Sequence, residues 1–239
     1  MSFDMSNLTS TLIIGGIVLA LTSLCLFSRS LPISKTDPLP LPGKVQFVDT
    51  HLGKVAVRVI GDKGKPVICL PGVNPALVDE WVLAAHAMSK RGFQVFIVNF
   101  HSNPNTKPAV LYGDISSADV NKIIIALMDT VIQTESIVLM GKSWGGGKAM
   151  QFVENYPQKV SRMCLIAPAS SDPDMIKAVK NSKTPVLLAW AKDDSALWFS
   201  NTERWQALLG DQLKLVTAEK GGHRILPDYT AEIIDFIEQ

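Results

Sequence analysis

Apolar positions along this chain form one long unbroken run, then a series of short runs separated by helix-patterned segments. The long run is residues 8–27, LTSTLIIGGIVLALTSLCLF, twenty residues without a charge. A helix of that length rises roughly 30 Å, the thickness of a bilayer's hydrocarbon core. The run therefore predicts a transmembrane helix behind a short tail, residues 1–7. A cleaved signal peptide fits less well. The preceding MSFDMSN carries Asp4 and no Lys or Arg, and no A-x-A cleavage signature follows. The nearest basic residues, Arg29 and Lys35, lie after the run, which predicts a single-pass membrane protein with its C-terminal bulk in the cytosol. Residues 28–43, SRSLPISKTDPLPLPG, hold four prolines and no helical period, the composition of an extended linker.

From residue 44 the pattern changes. Val45–Thr50 and Lys54–Ile60 flank His51-Leu52-Gly53 and predict a hairpin. Pro66–Leu70, Gln94–Phe100, Ser136–Met140, Val160–Ala167, Pro185–Trp190 and Leu213–Thr217 are further short apolar strands. Helical stretches stand between and after them: Asp79–Lys90, Ser117–Gln133, Trp144–Asn155, Asp174–Lys180, Leu197–Leu209 and Asp228–Glu238. In the second of these, Val120, Ile124, Leu127, Met128 and Val131 share one face, and Ser116 with Asp119 forms a capping-box pattern. Continuous apolar strands between amphipathic helices predict a doubly wound α/β domain over residues 44–239. Its sheet is mostly parallel, covered on both faces, with an antiparallel edge.

Composition narrows the function. Lys+Arg 23 against Asp+Glu 22 gives a net charge of +1, without the basic excess of a nucleic-acid binder. Hydrophobic residues at 47% and charged residues at 19% exclude a disordered chain. Three scattered cysteines, Cys25, Cys69 and Cys164, suit neither a disulfide framework nor a Cys-rich zinc site. No G-x-x-x-x-G-K-[ST] or G-x-G-x-x-G string occurs, which disfavours a phosphate-binding loop; no cofactor or metal is expected.

The chemistry centres on Gly141-Lys142-Ser143-Trp144-Gly145, a G-x-S-x-G between strand Ser136–Met140 and helix Trp144–Asn155. A serine on a sharp strand-to-helix turn projects its hydroxyl from the sheet, and flanking glycines let neighbouring backbone pass close by. The helix behind it aims its N-terminal N–H groups at charge developing near Ser143. A serine hydroxyl needs a base and an orienting acid, which in this chain order lie downstream on loops at strand ends. Only His223 follows Ser143, in Gly221-Gly222-His223-Arg224. His51 and His86 read as surface or packing residues, and His101 as one that can line the cleft. For the acid, Asp194 is favoured, Asp193 is the reserve, and Asp172 after the preceding strand is a third candidate. The oxyanion donors expected are the backbone N–H groups of Trp144 and of Val73, in the loop Pro71-Gly72-Val73-Asn74.

The GKSWGG turn, AKDD after the next-but-one strand and GGH before the last helix together resemble the α/β-hydrolase superfamily, and among its members the small abhydrolase-domain proteins. The resemblance implies a Ser143–Asp194–His223 triad hydrolysing an ester, thioester or amide through an acyl-enzyme. Two positions depart from the family pattern: Pro71-Gly72 replaces its usual His-Gly, and Ala191 replaces the Gly of its acid motif. The stretch 168–184, where many relatives insert a helical lid, has only 17 residues, so little or no lid is expected.

Trp81, Trp144, Trp198 and Phe199 can border the cleft, with at most half of them expected in a pocket, and Lys142 is expected to be solvated. The function expected is a membrane-anchored serine hydrolase acting on a small or amphiphilic acyl substrate. The alternatives are a catalytically silent scaffold of the same fold and an acyltransferase using the same triad. Serine at the elbow excludes aspartate-nucleophile chemistry.

Overall fold

Eight short apolar runs become eight strands of one sheet. The computed structural model describes residues 42–73, 78–100, 115–224 and 226–239. The predicted transmembrane run 8–27, the linker up to residue 41 and His101 lie outside the described residues. Among those described, no helix is long and apolar enough to cross a membrane.

The strands are β1 (Lys44–Thr50), β2 (Gly53–Ile60), β3 (Lys65–Leu70), β4 (Phe93–Asn99), β5 (Ile137–Lys142), β6 (Val160–Ile166), β7 (Val186–Ala191) and β8 (Leu213–Ala218). They lie side by side in the order β1-β2-β4-β3-β5-β6-β7-β8. β1 and β2 form the expected hairpin, and β2 also pairs antiparallel with β4. Every pairing from β4 through β8 is parallel.

The helices are α1 (Val78–Ser89), α2 (Ser117–Leu127), α3 (Trp144–Asn155), α4 (Pro173–Ser182), α5 (Asn201–Leu209) and α6 (Thr230–Glu238). Strand side chains alternate between the two faces, as the pleat requires. On β3, Ile68 and Leu70 join Val120, Met150, Ile176 and Trp205 from α2 to α5. Val67 and Cys69 join Trp81, Met88, Ile233 and Phe236 from α1 and α6 on the opposite face. Both faces are dry, which explains why the central strands read as unbroken apolar runs.

Two helix boundaries differ from the sequence pattern for local reasons. α2 begins at the expected capping box. After Leu127 it widens into a π-type turn, Met128–Ile132, closed by a 2.7 Å bond from the Gln133 N–H to the Met128 carbonyl. α5 begins at Asn201 rather than Leu197 because the residues before it are used elsewhere. The Leu197 N–H donates to Asp194 at 2.9 Å, and its carbonyl accepts from the Trp190 indole at 2.9 Å.

The strand order positions the site. From β3 the chain moves outward through α1 to β4, whereas from β5 it moves the other way through α3 to β6. β3 and β5 are neighbours, so their C-terminal ends open onto the crevice where an α/β sheet binds ligands. The loop from Pro71 to Val73 and the turn at Ser143 both leave the sheet there. The β6–β7 crossover, residues 168–184, contains α4 and no further helix.

Candidate active site

Ser143 has φ 52° and ψ −120°, a region that a residue with a Cβ enters at a cost of about 1–3 kcal/mol. The surrounding backbone holds it there. Its N–H donates to the Ile166 carbonyl at 2.9 Å, while its own carbonyl accepts from Ala169 at 2.8 Å and from Gly147 at 3.2 Å. Its hydroxyl does not cap α3. The strain thus belongs to the turn itself, fixed from β6 on one side and from the first turn of the helix on the other.

The flanking glycines are sterically required. A Cβ on Gly141 would lie 2.5 Å from the Gly145 carbonyl oxygen, and one on Gly145 only 2.1 Å from that of Leu70 and 2.5 Å from that of Pro71. The second contact matters more for chemistry. It presses the start of α3 against the end of β3, at the carbonyls of Leu70 and Pro71. The Val73 side chain is exposed. Trp144 packs edge-on to Phe100 with ring centroids 5.4 Å apart, and the Lys148 ammonium lies 5.2 Å from its ring centroid.

The two adjacent aspartates after β7 engage different parts of one loop. Asp194 is buried; its Oδ2 lies 2.8 Å from His223 Nδ1. Its Oδ1 accepts the N–H groups of Ala196 and Leu197, each at 2.9 Å. With the carboxylate on Nδ1, that nitrogen carries the proton and Nε2 is left as the basic atom. Asp193 instead accepts from the N–H of Gly222 at 2.7 Å and of Gly221 at 3.3 Å, so it holds the loop rather than the ring. Asp172 is committed to capping α4, accepting from the N–H groups of Asp174 and Met175. Among the described contacts, Ser143 Oγ and the His223 ring share no direct hydrogen bond. A hydrogen bond between a nucleophile and its base is often long in the absence of substrate and tightens in the reacting complex.

Three expectations about flanking residues are corrected or sharpened. Lys142 is not solvated. It is fully buried at the end of β5, and its ammonium is paired with Glu80 Oε2 on α1. Trp81 does not border the cleft, because it is fully buried in the core under α1. Trp198 is exposed, and Phe199 packs against the opposite core. Glu80 was not legible beforehand: nothing in its own helix marks it, and its partners are remote in sequence. The second is Arg224, whose Nε lies 3.3 Å from Glu80 Oε1.

The other histidines serve elsewhere. His51 Nε2 is 2.6 Å from Asp119 Oδ1 and joins the β1–β2 hairpin to the start of α2, and His86 is exposed on α1. Among the described residues, no three His, Cys, Asp or Glu side chains converge on a common metal position.

Comparison with known proteins bears on this geometry. The sequence profile of the alpha/beta hydrolase fold matches residues 65–184, half of the chain. The chain belongs to the α/β-hydrolase fold family. It is 27% identical over 127 residues to an uncharacterized protein of Mycobacterium tuberculosis, an overlap covering 53% of this chain and 35% of that one. It is 25% identical over 212 residues to the acylamino-acid-releasing enzyme of Mus musculus, covering 68% of this chain and 29% of the enzyme. The chain thus spans about a third of the length of these curated relatives. Among solved structures, a predicted CIB-like hydrolase from Thermoplasma acidophilum superposes with a TM-score of 0.69 at 18% identity, covering 82% of this chain and 98% of that one. Naproxen esterase from Bacillus subtilis superposes with a TM-score of 0.68 at 14% identity, covering 84% and 93%. At such identities the likeness is one of fold.

Proposed function

We propose that this protein is a membrane-anchored serine hydrolase cleaving an ester or thioester of a small or amphiphilic acyl substrate. The observation that carries the reading is a serine at a strained strand-to-helix turn, on the same sheet edge as a histidine oriented by a buried carboxylate.

In this reading Ser143 Oγ attacks the acyl carbonyl carbon as its proton passes to His223 Nε2. Asp194 stabilises the resulting imidazolium through Nδ1–H without taking the proton itself. The backbone N–H groups of Val73 and Trp144 receive the oxyanion, a contribution of about 3–4 kcal/mol for each donor in a typical site. His223 then protonates the leaving oxygen or sulfur as the carbon–heteroatom bond breaks, giving the acyl-enzyme. A water molecule, deprotonated by His223, attacks the acyl carbon in turn. The carboxylic acid departs, and the proton returns to Ser143.

The short β6–β7 crossover supports an open cleft, and the uncharged run 8–27 supports a single-pass anchor with this domain on the cytosolic side. Removing residues 1–27 is expected to shift the protein from the carbonate-resistant membrane fraction to the soluble one. The activity is tested with a panel of acyl esters and thioesters of increasing chain length. The full chain in detergent micelles should turn over members of the panel, and Ser143→Ala should lose at least about 10³-fold in kcat. A folded wild-type chain that turns over none of them would instead be the silent scaffold.

A further inference from the structure

Glu80 lies outside the Ser143, Asp194 and His223 set, yet it touches the immediate neighbour of two of its members. One carboxylate oxygen pairs with the ammonium of Lys142, the residue before Ser143. The other faces the Arg224 guanidinium, on the residue after His223, at 3.3 Å. Lys142 is fully buried, and the Glu80 side chain retains only 16% of its exposure. A buried lysine without a counter-charge is strongly unfavourable, so the Lys142 arm fixes where the carboxylate sits. From there Glu80 presents its second oxygen to a loop that the segment after β7 also holds, through Lys192, Asp193 and Asp194. Among the described contacts, the Arg224–Glu80 pair is the one that joins this loop to the helix paired with the elbow's Lys142.

We propose that Glu80 is a positioning residue that sets the distance between Ser143 and His223 by bridging Lys142 and Arg224. The inference rests on the serine hydrolase reading and names the device that aligns its nucleophile and base. The Arg224 side chain is 67% exposed, so its pair with Glu80 contributes little to global stability. What it restricts is the loop.

That exposure also makes the tether testable. Glu80→Gln strands Lys142 and can unfold the chain, so the decisive variant is Arg224→Gln, which cuts only the exposed arm. It is made in the full chain in micelles beside Arg224→Lys, which keeps a cation within reach, and Lys54→Met, which cuts the remote pair with Asp49. Two quantities are read: amide hydrogen exchange across residues 219–224, and the rate of reaction with a fluorophosphonate probe. Arg224→Gln should speed exchange and slow probe reaction, each about tenfold, the scale expected when a reacting pair is slightly misplaced. Its melting temperature should stay at the wild-type value. Arg224→Lys should recover most of both effects, and Lys54→Met should show neither.

Exchange or probe reaction in Arg224→Gln indistinguishable from wild type overturns the tether. A wild-type chain that never reacts with the probe sinks the hydrolase reading instead. The exchange comparison then still decides whether Glu80 and Arg224 hold the loop.

Discussion

Asp193 and Asp194 are adjacent in sequence, yet Asp193 accepts from the backbone of Gly221 and Gly222 while Asp194 accepts from the ring of His223. One carboxylate therefore fixes where the loop is, and the other fixes how its imidazole points.

Their substitutions should separate cleanly. Asp194→Asn removes the charge that selects the tautomer and supports the imidazolium, with an expected loss of about 10⁴-fold in kcat. Asp193→Asn loosens the loop but leaves the ring's partner in place, and about tenfold is expected. Steady-state ester hydrolysis by the two variants at matched pH measures the difference.

Gly145 and Gly147 share the first turns of α3 but face different surroundings. A Cβ on Gly145 would fall 2.1 Å from the Leu70 carbonyl oxygen, whereas one on Gly147 finds only the Ser170 Cβ at 4.0 Å. Gly145→Ala is expected to destabilise by about 3 kcal/mol, or roughly 10 °C in melting temperature. Gly147→Ala should stabilise by up to about 1 kcal/mol through helix propensity. Thermal denaturation followed by circular dichroism checks both.

The alternation of apolar runs and amphipathic helices made the sheet, its edge hairpin and nearly every element legible before any coordinates. The reason is that a strand buried on both faces has no polar positions to blur it. Ser143 and His223 stood out as candidates for a different reason: each occupies a loop beside glycines, in the chain order a serine nucleophile and its base require. The choice among Asp172, Asp193 and Asp194, in which Asp194 was favoured, rested on no decisive local signal, because all three follow strands in acidic turns. Only coordinates show which one also meets an imidazole. Lys142 was misread as solvated for a related reason. Its counter-charge, Glu80, comes from a helix 62 positions earlier, and no local pattern signals such a pair.

The Asp119 carboxyl is held down at about 2, first by the Ser116 hydroxyl and then by the His51 ring. A carboxyl depressed in the folded state stabilises the fold above its ordinary value of 3.8, and that contribution fades as pH falls toward 2. Asp119→Ala should cost about 1 kcal/mol at pH 7, the usual scale for a lost helix cap. The cost should shrink below about pH 4 and be lost as pH falls through the folded value. Urea denaturation of both proteins across that range reads it directly.

Burial pushes the thiols of Cys69 and Cys164 well above the ordinary cysteine range. Neither is a thiolate at neutral pH, and neither is open to solvent. Iodoacetamide is expected to leave both unmodified in the folded chain and to alkylate both in urea, as followed by peptide mass spectrometry.

The central claim is that Ser143 is the nucleophile. The most direct measurement is fluorophosphonate labelling of the intact protein, with the modified residue mapped by tandem mass spectrometry. A single adduct on Ser143, lost in Ser143→Ala and strongly slowed in His223→Ala, is the expected result. An adduct on another serine, or undiminished labelling of Ser143→Ala, would contradict it.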